Sequence, residues 1–171
     1  MGTLTVDNLN LKGSGSVSSV GRILQIVQTA KTDTFSTTST SFTDVTGFSA
    51  TITPSSTSSK VLVMVSSNSS TSGGNNAIMK LVRGSTDVFV GDDDGASREE
   101  ATAQTRVNDT NAALTLTFNF LDSPSTTSAT TYKLQYKVQA GTGTINRTQA
   151  DSNSATLART ASSIILVEVR G

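Results

Sequence analysis

The sequence predicts an all-β fold, an antiparallel β-sandwich of jelly-roll type, and three observations support this prediction. Ser and Thr make up about a third of the 171 residues, and the β-branched Thr side chain favours a pleated surface. Short apolar or alternating runs recur along the chain, separated by stretches rich in Gly, Pro, Ser and Asn that are typical of turns. The Ala-Glu-Lys-Leu pattern of long helices is rare. These features indicate a sandwich rather than a parallel α/β sheet.

The first 19 residues are predicted to be an N-terminal docking arm followed by a Gly/Ser linker. Apolar residues alternate with polar ones between Thr3 and Leu11, as in a short strand with one apolar edge. The sequence Gly13-Ser14-Gly15-Ser16 then provides a flexible connection. Such an arm could pair with a neighbouring subunit or a larger assembly by strand addition, or it could be an ordinary first strand of the sandwich. The candidate anchoring residues are Leu4, Val6, Leu9 and Leu11.

The sandwich body is predicted to span residues 20–171. Strands with alternating apolar and polar residues place one face on a core and the other in solvent. Two strands, at 61–65 and 164–167, are apolar throughout. They are either central strands covered on both faces or strands whose outer faces meet another subunit; in so polar a chain a subunit contact is favoured for at least one. The predicted strands are Ile23–Ala30, Val45–Ile52, Val61–Ser67, Ala77–Arg83, Asp87–Val90, Leu114–Leu121, Tyr132–Gln139 and Ile164–Val169.

The segment from 91 to 112 has no β pattern and is predicted to be an exposed loop that faces outward or meets a neighbour. Ser97 could cap a short helix, with Glu99 and Glu100 in its first turn. The acidic run 92–95 resembles the start of a calcium loop, but no Glu follows at position 12, so a solvated turn is preferred. The candidate interaction residues are Asp92, Asp93, Asp94, Arg98, Glu99, Glu100 and Arg106.

The residue types exclude most catalytic chemistry. The chain has neither Cys nor His, which excludes Cys/His zinc sites and both Ser-His-Asp and Cys-His mechanisms. Glu99 with Glu100, or either of them with Asp109, could be interpreted as a glycosidase pair. Ion pairing with Arg98 and Arg106, or simple solvation, is the preferred interpretation of these acids. We therefore predict a protein without catalytic residues, cofactor or metal, which is not an enzyme.

Charge and hydropathy also limit the partners. Thirteen basic residues balance thirteen acidic ones, and no basic stripe is present for binding nucleic acid. No apolar run approaches 18 residues, so no membrane partner is predicted, and the N-terminus lacks the pattern of a signal peptide. There is no Trp, and Tyr132 and Tyr136 lie on a predicted inward face. This disfavours sugar binding, which usually involves a stacking aromatic.

Two stretches resemble a known family. They are GRILQIVQTAKTDTFSTTSTSFTDVTGFSATITPSSTSSKVLVMVSS, within 21–68, and ASSIILVEV at 161–169. They resemble small β-sandwich virion structural proteins of tailed bacteriophages, especially marine and cyanobacterial ones. In that family "GKVLQV", "TSFTDVTGLS", "ITPSSASSKILV" and "SSITLMEV" recur. The resemblance covers roughly a third of the chain, and TLTVDNLNL is similar to the starts of many phage fibre and head-surface proteins.

The resemblance implies a non-enzymatic virion structural protein on the particle surface, of the capsid-decoration or tail-fibre type and often a homotrimer. Its partners would be its own copies and the major capsid protein or a tail component, and it would be made in the host bacterial cytoplasm. A chain without a shaft fits a decoration protein, or a small fibre component, better than a long fibre. The alternative is a receptor-binding module that recognises host glycans through the 91–112 loop.

Overall fold

The computed structural model describes residues 21–171, which fold into two antiparallel β-sheets. Within these residues there is no α-helix, and one 3-10 turn spans Ser72–Gly74. The strands are β1 Ile23–Lys31, β2 Phe35–Thr37, β3 Thr43–Ile52, β4 Lys60–Thr71, β5 Asn76–Arg83, β6 Thr86–Val88, β7 Ala103–Arg106, β8 Leu114–Asp122, β9 Thr130–Val138, β10 Gly143–Ile145 and β11 Ser162–Val169.

The strand order is that of a jelly roll. In sheet A the four long strands are ordered β1-β11-β4-β8, and the short strands β10 and β2 extend from the far end of β4. In sheet B the order is β3-β9-β5, with β6 and β7 both paired to β5. Successive long strands alternate between the two sheets over much of the chain, which wraps the sandwich in Greek-key fashion. The predicted fold class, an all-β antiparallel sandwich, is confirmed.

The core lies between the two inner faces and follows from strand alternation. On β4, Val61, Val63 and Val65 are buried, while the residues between them are half-buried on the outer face. On β9 the inward residues include both tyrosines, and the Tyr136 hydroxyl is 2.8 Å from the Ser69 hydroxyl. Burial raises the pKa of Tyr136 to about 12.

A buried polar cluster joins the two sheets at one margin. Asp122, at the end of β8, accepts hydrogen bonds from the Arg83 guanidinium and the Tyr132 hydroxyl, each at 2.6 Å. Burial, together with the bond to this carboxylate, raises the pKa of Tyr132 above its ordinary value. Arg83 and Tyr132 belong to sheet B, so the cluster is a polar bridge between the sheets.

The eight predicted strands all coincide with observed strands, but some details were wrong. Three short strands, β2, β7 and β10, were not predicted. The strand predicted at Val61–Ser67 is longer than expected, because β4 continues to Thr71, where buried hydroxyls find partners inside the protein. No helix begins at Ser97; the chain bends there instead. The predicted arm and its anchoring residues lie outside the described residues.

Candidate assembly surface

A continuous row of apolar side chains crosses the outer face of sheet A. Residues directly opposite one another in antiparallel strands share a face. Ile26 of β1 pairs with Val167 of β11, Val167 pairs with Leu62 of β4, and Leu62 pairs with Leu121 of β8. We call these four residues the apolar row. It spans all four long strands of the sheet and contains no polar side chain.

The positions that flank the apolar row extend it. On one side the pairing gives a second row of two apolar and two uncharged polar residues, namely Gln28, Ile165, Met64 and Asn119. On the other side Ile23 pairs with Val169. The nearest charge on this face is Lys60, at the margin opposite Val169, whose ammonium group donates to the Ser123 hydroxyl at 2.7 Å. The result is an apolar area across the middle of the sheet.

Within the part of the chain that the structure describes, this face is exposed at the two edges of the sheet, while Val167 in its middle is buried. Ile26 is 62% exposed and Leu121 is 53% exposed, at the two edges of the sheet. Ile23 is 58% exposed beside them. Single exposed hydrophobic residues are ordinary, but contiguous apolar patches usually mark interaction surfaces. The pairing registers make this patch contiguous, and it is therefore the strongest candidate site in residues 21–171.

The outer face of sheet B differs in character. Lysines at its outward positions are each paired with a carboxylate, and the pairs are Lys80–Asp87, Lys133–Asp44 and Lys137–Glu99. The ammonium groups of Lys80 and Lys137 also lie 4.6 and 5.2 Å from the centre of the Phe42 ring. Hydrogen bonds from Lys133 and Gln135 lower the pKa of Asp44. Paired, partly exposed charges of this kind are typical of a face in water.

Strand β7 divides the predicted 91–112 loop into two parts. β7 lies within it and pairs with β5, and the backbone N–H of Gly91 donates to the carbonyl of Ala101 at 3.1 Å. The tip is therefore confined to residues 92–100, and residues 107–113 form a separate connection to β8.

The predicted residues of this loop make separate local contacts. The carboxylates of Asp93 and Asp94 accept the backbone N–H groups of Gly95 and Ala96, and Asp94 also lies 3.2 Å from Arg98. Asp92 is exposed, Glu100 is half-buried, and Arg106 sits on β7 opposite Asn76. No group of three or more metal-ligating side chains occurs in residues 21–171. The acidic run thus forms local turns.

The carboxylates considered as a catalytic pair are engaged separately. Glu99 forms an ion pair with Lys137 on the outer face of sheet B. Asp109 accepts the backbone N–H of Asn111 at 2.8 Å, in the connection before β8. Neither contact is the arrangement of two carboxyls facing one cleft that glycoside hydrolysis requires.

Phe89 is a surface residue whose exposure the sequence analysis did not foresee. The strand predicted to contain it ends at Val88, and Phe89 adopts a left-handed φ of +54°. Its ring is 43% exposed and stacks on Phe120, with centroids 5.2 Å apart, near Phe118 at 6.2 Å. Left-handed backbone costs roughly 1 kcal/mol or more for such a residue. The signal was only a phenylalanine directly before a loop, which does not by itself indicate exposure.

A polar pocket of about 240 Å³ lies in the connection between β10 and β11. Its lining includes Thr148, Asn153 and Asp151. The Asp151 carboxylate lies 2.8 Å from Arg159 and 3.5 Å from Arg147. Because this carboxylate is already paired with cations of the same connection, the pocket is a weaker candidate than the apolar row.

In residues 21–171 no helix has the length and hydropathy needed to cross a membrane.

Comparisons with known proteins give matches among solved structures alone. No protein-family model matches the chain, and no curated protein matches it. Particles of infectious bursal disease virus resemble it in structure: T=1 particles with 15% identity and a TM-score of 0.45, and the T13 particle with 14% and 0.45. A subviral particle of VP2 from the same virus matches with 16% sequence identity and a TM-score of 0.36.

Each match covers 98% of this chain but only 44%, 40% and 42% of the viral chains. The chain thus spans less than half the length of the proteins it matches. These identities and TM-scores are too low to assign a function.

Proposed function

We propose that this protein is a non-enzymatic structural component of the surface of a tailed-bacteriophage particle, either a capsid-decoration protein or a small tail-fibre component. The observation that carries the proposal is the apolar row on the outer face of sheet A. The resemblance of residues 21–68 and 161–169 to phage virion proteins supports the particle as its location. Jelly rolls also occur in lectins and cupins, so the fold alone does not decide the function.

The apolar row fits contact between identical copies. The apolar row carries no charge with which a strongly charged partner could pair, whereas two apolar surfaces gain stability when both leave water. Burial contributes about 25 cal/mol per Å² of apolar surface. We propose a homotrimer, in which three copies bring their sheet A faces toward a common axis and leave the charged faces of sheet B in solvent.

The N-terminal arm is proposed to anchor the trimer to the major capsid protein or a tail component through Leu4, Val6, Leu9 and Leu11. One hydrogen bond of the described residues supports the proposed position of the arm. The backbone N–H of Gly21 donates to the Arg170 carbonyl at 2.8 Å, next to Ile23. Gly21, the first described residue, therefore lies at the margin of the apolar face. The cysteine-free chain needs no oxidising compartment, consistent with synthesis in the bacterial cytoplasm.

The oligomeric state of the full chain tests the contact. In size-exclusion chromatography with light scattering, the unsubstituted protein should have the mass of a trimer or of a multiple of trimers. The double variant Ile26→Lys/Leu121→Lys should no longer form the trimer, because both side chains are exposed in the single chain and buried in the proposed contact. The matched control is Ser49→Lys/Thr51→Lys, on an exposed edge strand of sheet B, which should remain trimeric. A monomeric unsubstituted protein at micromolar concentration would overturn the proposed contact.

Location on the particle needs a separate test. An antibody raised against the purified chain should label the surface of particles of the phage that encodes it in immunogold electron microscopy. Labelling of heads would identify a decoration protein, and labelling of tails a fibre component. Particles that neither bind the antibody nor contain peptides of this chain in mass spectrometry would contradict the virion role.

A receptor-binding module is the second candidate, and the exposure of Phe89 favours it. One face of this ring packs on Phe120, and the ring borders the 91–101 loop, so it offers the stacking aromatic that the sequence analysis did not find. Saturable binding to host cells or to a glycan array, lost in Phe89→Ser with an unchanged melting temperature, would establish this function. No binding by the unsubstituted protein would exclude it.

A further inference from the structure

We propose that the free edge of β8 pairs with β8 of a second copy, antiparallel, so that sheet A continues from one molecule into the next. The inference rests on the proposed self-association but names a different contact. The apolar row buries the face of the sheet, whereas this contact joins its edge. It follows from the backbone, the side chains and the sequence pattern of β8.

The β8 edge is unprotected. Within residues 21–171, β8 pairs with β4 alone, and its nine pairs from Leu114 to Asp122 run without a register shift. The strand contains no Pro, Gly, Lys or Arg, and its one charge, Asp122, faces Arg83 and Tyr132 inside the protein. Natural proteins usually protect edge strands with charges, bulges, prolines or short length because open edges accept further strands.

The other edges in the described residues carry such protection. β1 has a register shift between Ile23 and Gln25 and ends at Lys31. β3 has an irregularity between Asp44 and Ser49, where Gly47 has a left-handed φ of +73°. β2, at the far end of sheet A, is three residues long, and β6 and β7, which form the remaining edge of sheet B, are three and four residues long. The contrast distinguishes β8 as the edge open to pairing.

The inner side of β8 is incompletely covered. Leu116, Phe118 and Phe120 point toward the core but are only half-buried. Sheet B ends here in its two short strands, and Phe89 packs against the phenylalanines from that side while remaining 43% exposed. A further strand beside β8, with apolar residues facing inward, would cover this cluster and remove more apolar surface from water.

The sequence of β8 is complementary to itself. Its inward residues are all apolar from Leu114 to Phe120, and its outward residues from Thr115 to Asn119 are all polar. Antiparallel pairing about a two-fold axis through Thr117, Phe118 or Asn119 opposes residues of the same parity, so the inner sides of the two strands match. With the axis at Phe118, for example, Phe118 meets Phe118 of the second copy and Leu116 meets Phe120. Two-fold contacts of this self-complementary type are the commonest among oligomers.

The N-terminal segment is a poorer occupant by sequence. Its apolar residues occupy even positions at Leu4 and Val6 but odd positions at Leu9 and Leu11, with Asp7 between them. A regular strand presents one parity to one face. It could therefore offer only two apolar residues in succession, whereas β8 offers four. The second copy is accordingly the occupant to which we commit.

Cysteine capture tests the contact in the full chain, which has no cysteine of its own. In Thr117→Cys/Asn119→Cys the two thiols lie on the exposed outer side of β8. For any axis within one residue of Phe118 they lie opposite each other across the junction. Cross-strand neighbours are close enough for a disulfide. The matched control, Ser49→Cys/Thr51→Cys, places two exposed thiols at the same spacing on the protected edge β3. We expect covalent dimer to form about tenfold faster in the first variant than in the control.

Each other outcome decides against the proposal. Equal rates in the two variants would show random collision. In Val6→Cys/Thr117→Cys, a disulfide that joins positions 6 and 117, identified by peptide mass spectrometry and formed at a rate matching or exceeding that of the first variant, would assign the edge to the N-terminal segment. If the protein self-associates by mass but forms no covalent dimer, the copies contact each other through the apolar face and not through the β8 edge.

Adding Ile26→Lys to Thr117→Cys/Asn119→Cys tests whether the edge contact forms independently of the face contact. Ile26 lies on the opposite edge of sheet A, so we expect the non-covalent trimer to be lost and capture through β8 to persist. Loss of both together would show that β8 has no contact independent of the face. Capture without any trimer in the unsubstituted protein would support the edge and contradict the proposed face contact.

Discussion

The two sheets of the sandwich differ in where most of their charged residues lie. Sheet A buries three of its charged side chains at its inner margins, and they are Lys31, Asp122 and Glu168. Across the middle of its outer face lies the apolar row. Sheet B keeps its lysines outward, where each pairs with a carboxylate, and buries apolar residues on its inner face.

This difference is informative because it is the costlier arrangement for a lone chain in water. Burying a charge requires compensating hydrogen bonds, and exposing contiguous apolar residues forgoes hydrophobic stabilisation. Sheet B shows that the sequence can produce an ordinary solvated face. The outer face of sheet A is therefore the face whose composition suits a covered environment, and the predictions below test that distinction.

Glu168 shows how sheet A accommodates a buried charge. The carboxylate accepts hydrogen bonds from the Gln25 amide at 2.6 Å and from the backbone N–H and hydroxyl of Ser55, both at 2.7 Å. Burial opposes ionisation, but these bonds outweigh it and hold the pKa of Glu168 at about 2. They also tie the connection between β3 and β4 to β11.

The largest effect is expected from Glu168→Ala. The change removes the acceptor of two Ser55 donors and one of the two acceptors of the Gln25 amide, which still donates to the Thr53 carbonyl. Loss of these hydrogen bonds to a charged group should cost about 2 kcal/mol of unfolding free energy. Urea denaturation measures the loss. The control is Asp44→Ala, which removes an exposed carboxylate of sheet B and should cost far less. Equal losses in the two variants would contradict the contrast between the sheets.

The same carboxylate predicts a pH dependence. The pKa of Glu168 is lower in the folded protein than its ordinary 4.5, so its contribution to stability is fully present above pH 4.5. It is lost progressively as the pH falls toward 2, where the folded carboxylate takes up its proton. Urea midpoints between pH 6 and 2.5 should fall more steeply in the unsubstituted protein than in Glu168→Gln. Parallel curves would show that other acids carry the dependence.

Much of this fold was predictable because alternation identifies strands without knowledge of their partners. β8 and β9 alternate cleanly, and the apolar runs in β4 and β11 were correctly placed. The polar end of β4 was not predicted, since Ser69 and Thr71 belong to a residue class that also forms turns. Their strand conformation depends on buried hydrogen bonds to distant residues, such as Thr71 with the Val107 backbone at 3.1 Å.

The sequence predicted two strands that are apolar throughout, but it did not decide whether their outer faces are covered within the chain or meet another subunit. The apolar row arises from registers that align Leu62 with Leu121 and with Val167, and a single sequence does not specify such long-range pairing. Ile26 was part of a predicted strand, but its outward direction depends on the pairing with β11. The predicted loop residues make separate local contacts and share no single arrangement in the structure.

A single charge in the apolar row should affect association far more than folding. Ile26→Lys places an ammonium group at a position that is 62% exposed in the single chain, so the free energy of unfolding of the monomer should change by no more than about 0.5 kcal/mol. Burying that charge in a contact is costly, and we expect the association constant to fall at least about tenfold. Sedimentation equilibrium measures the constant, and Gln28→Lys, on the flanking row, should give a smaller decrease.

The smallest effect is expected on the outer face of sheet B. The Lys133–Asp44 pair is close, at 2.7 Å, but the Asp44 side chain is 54% exposed and the pair is screened by water. Exposed pairs contribute roughly 0–1 kcal/mol, so Lys133→Met should change the free energy of unfolding by about 0.5 kcal/mol or less. The oligomeric mass should not change, because this face is proposed to remain in solvent. A variant that dissociates the assembly would instead place sheet B in the contact and reverse the assignment of the two faces.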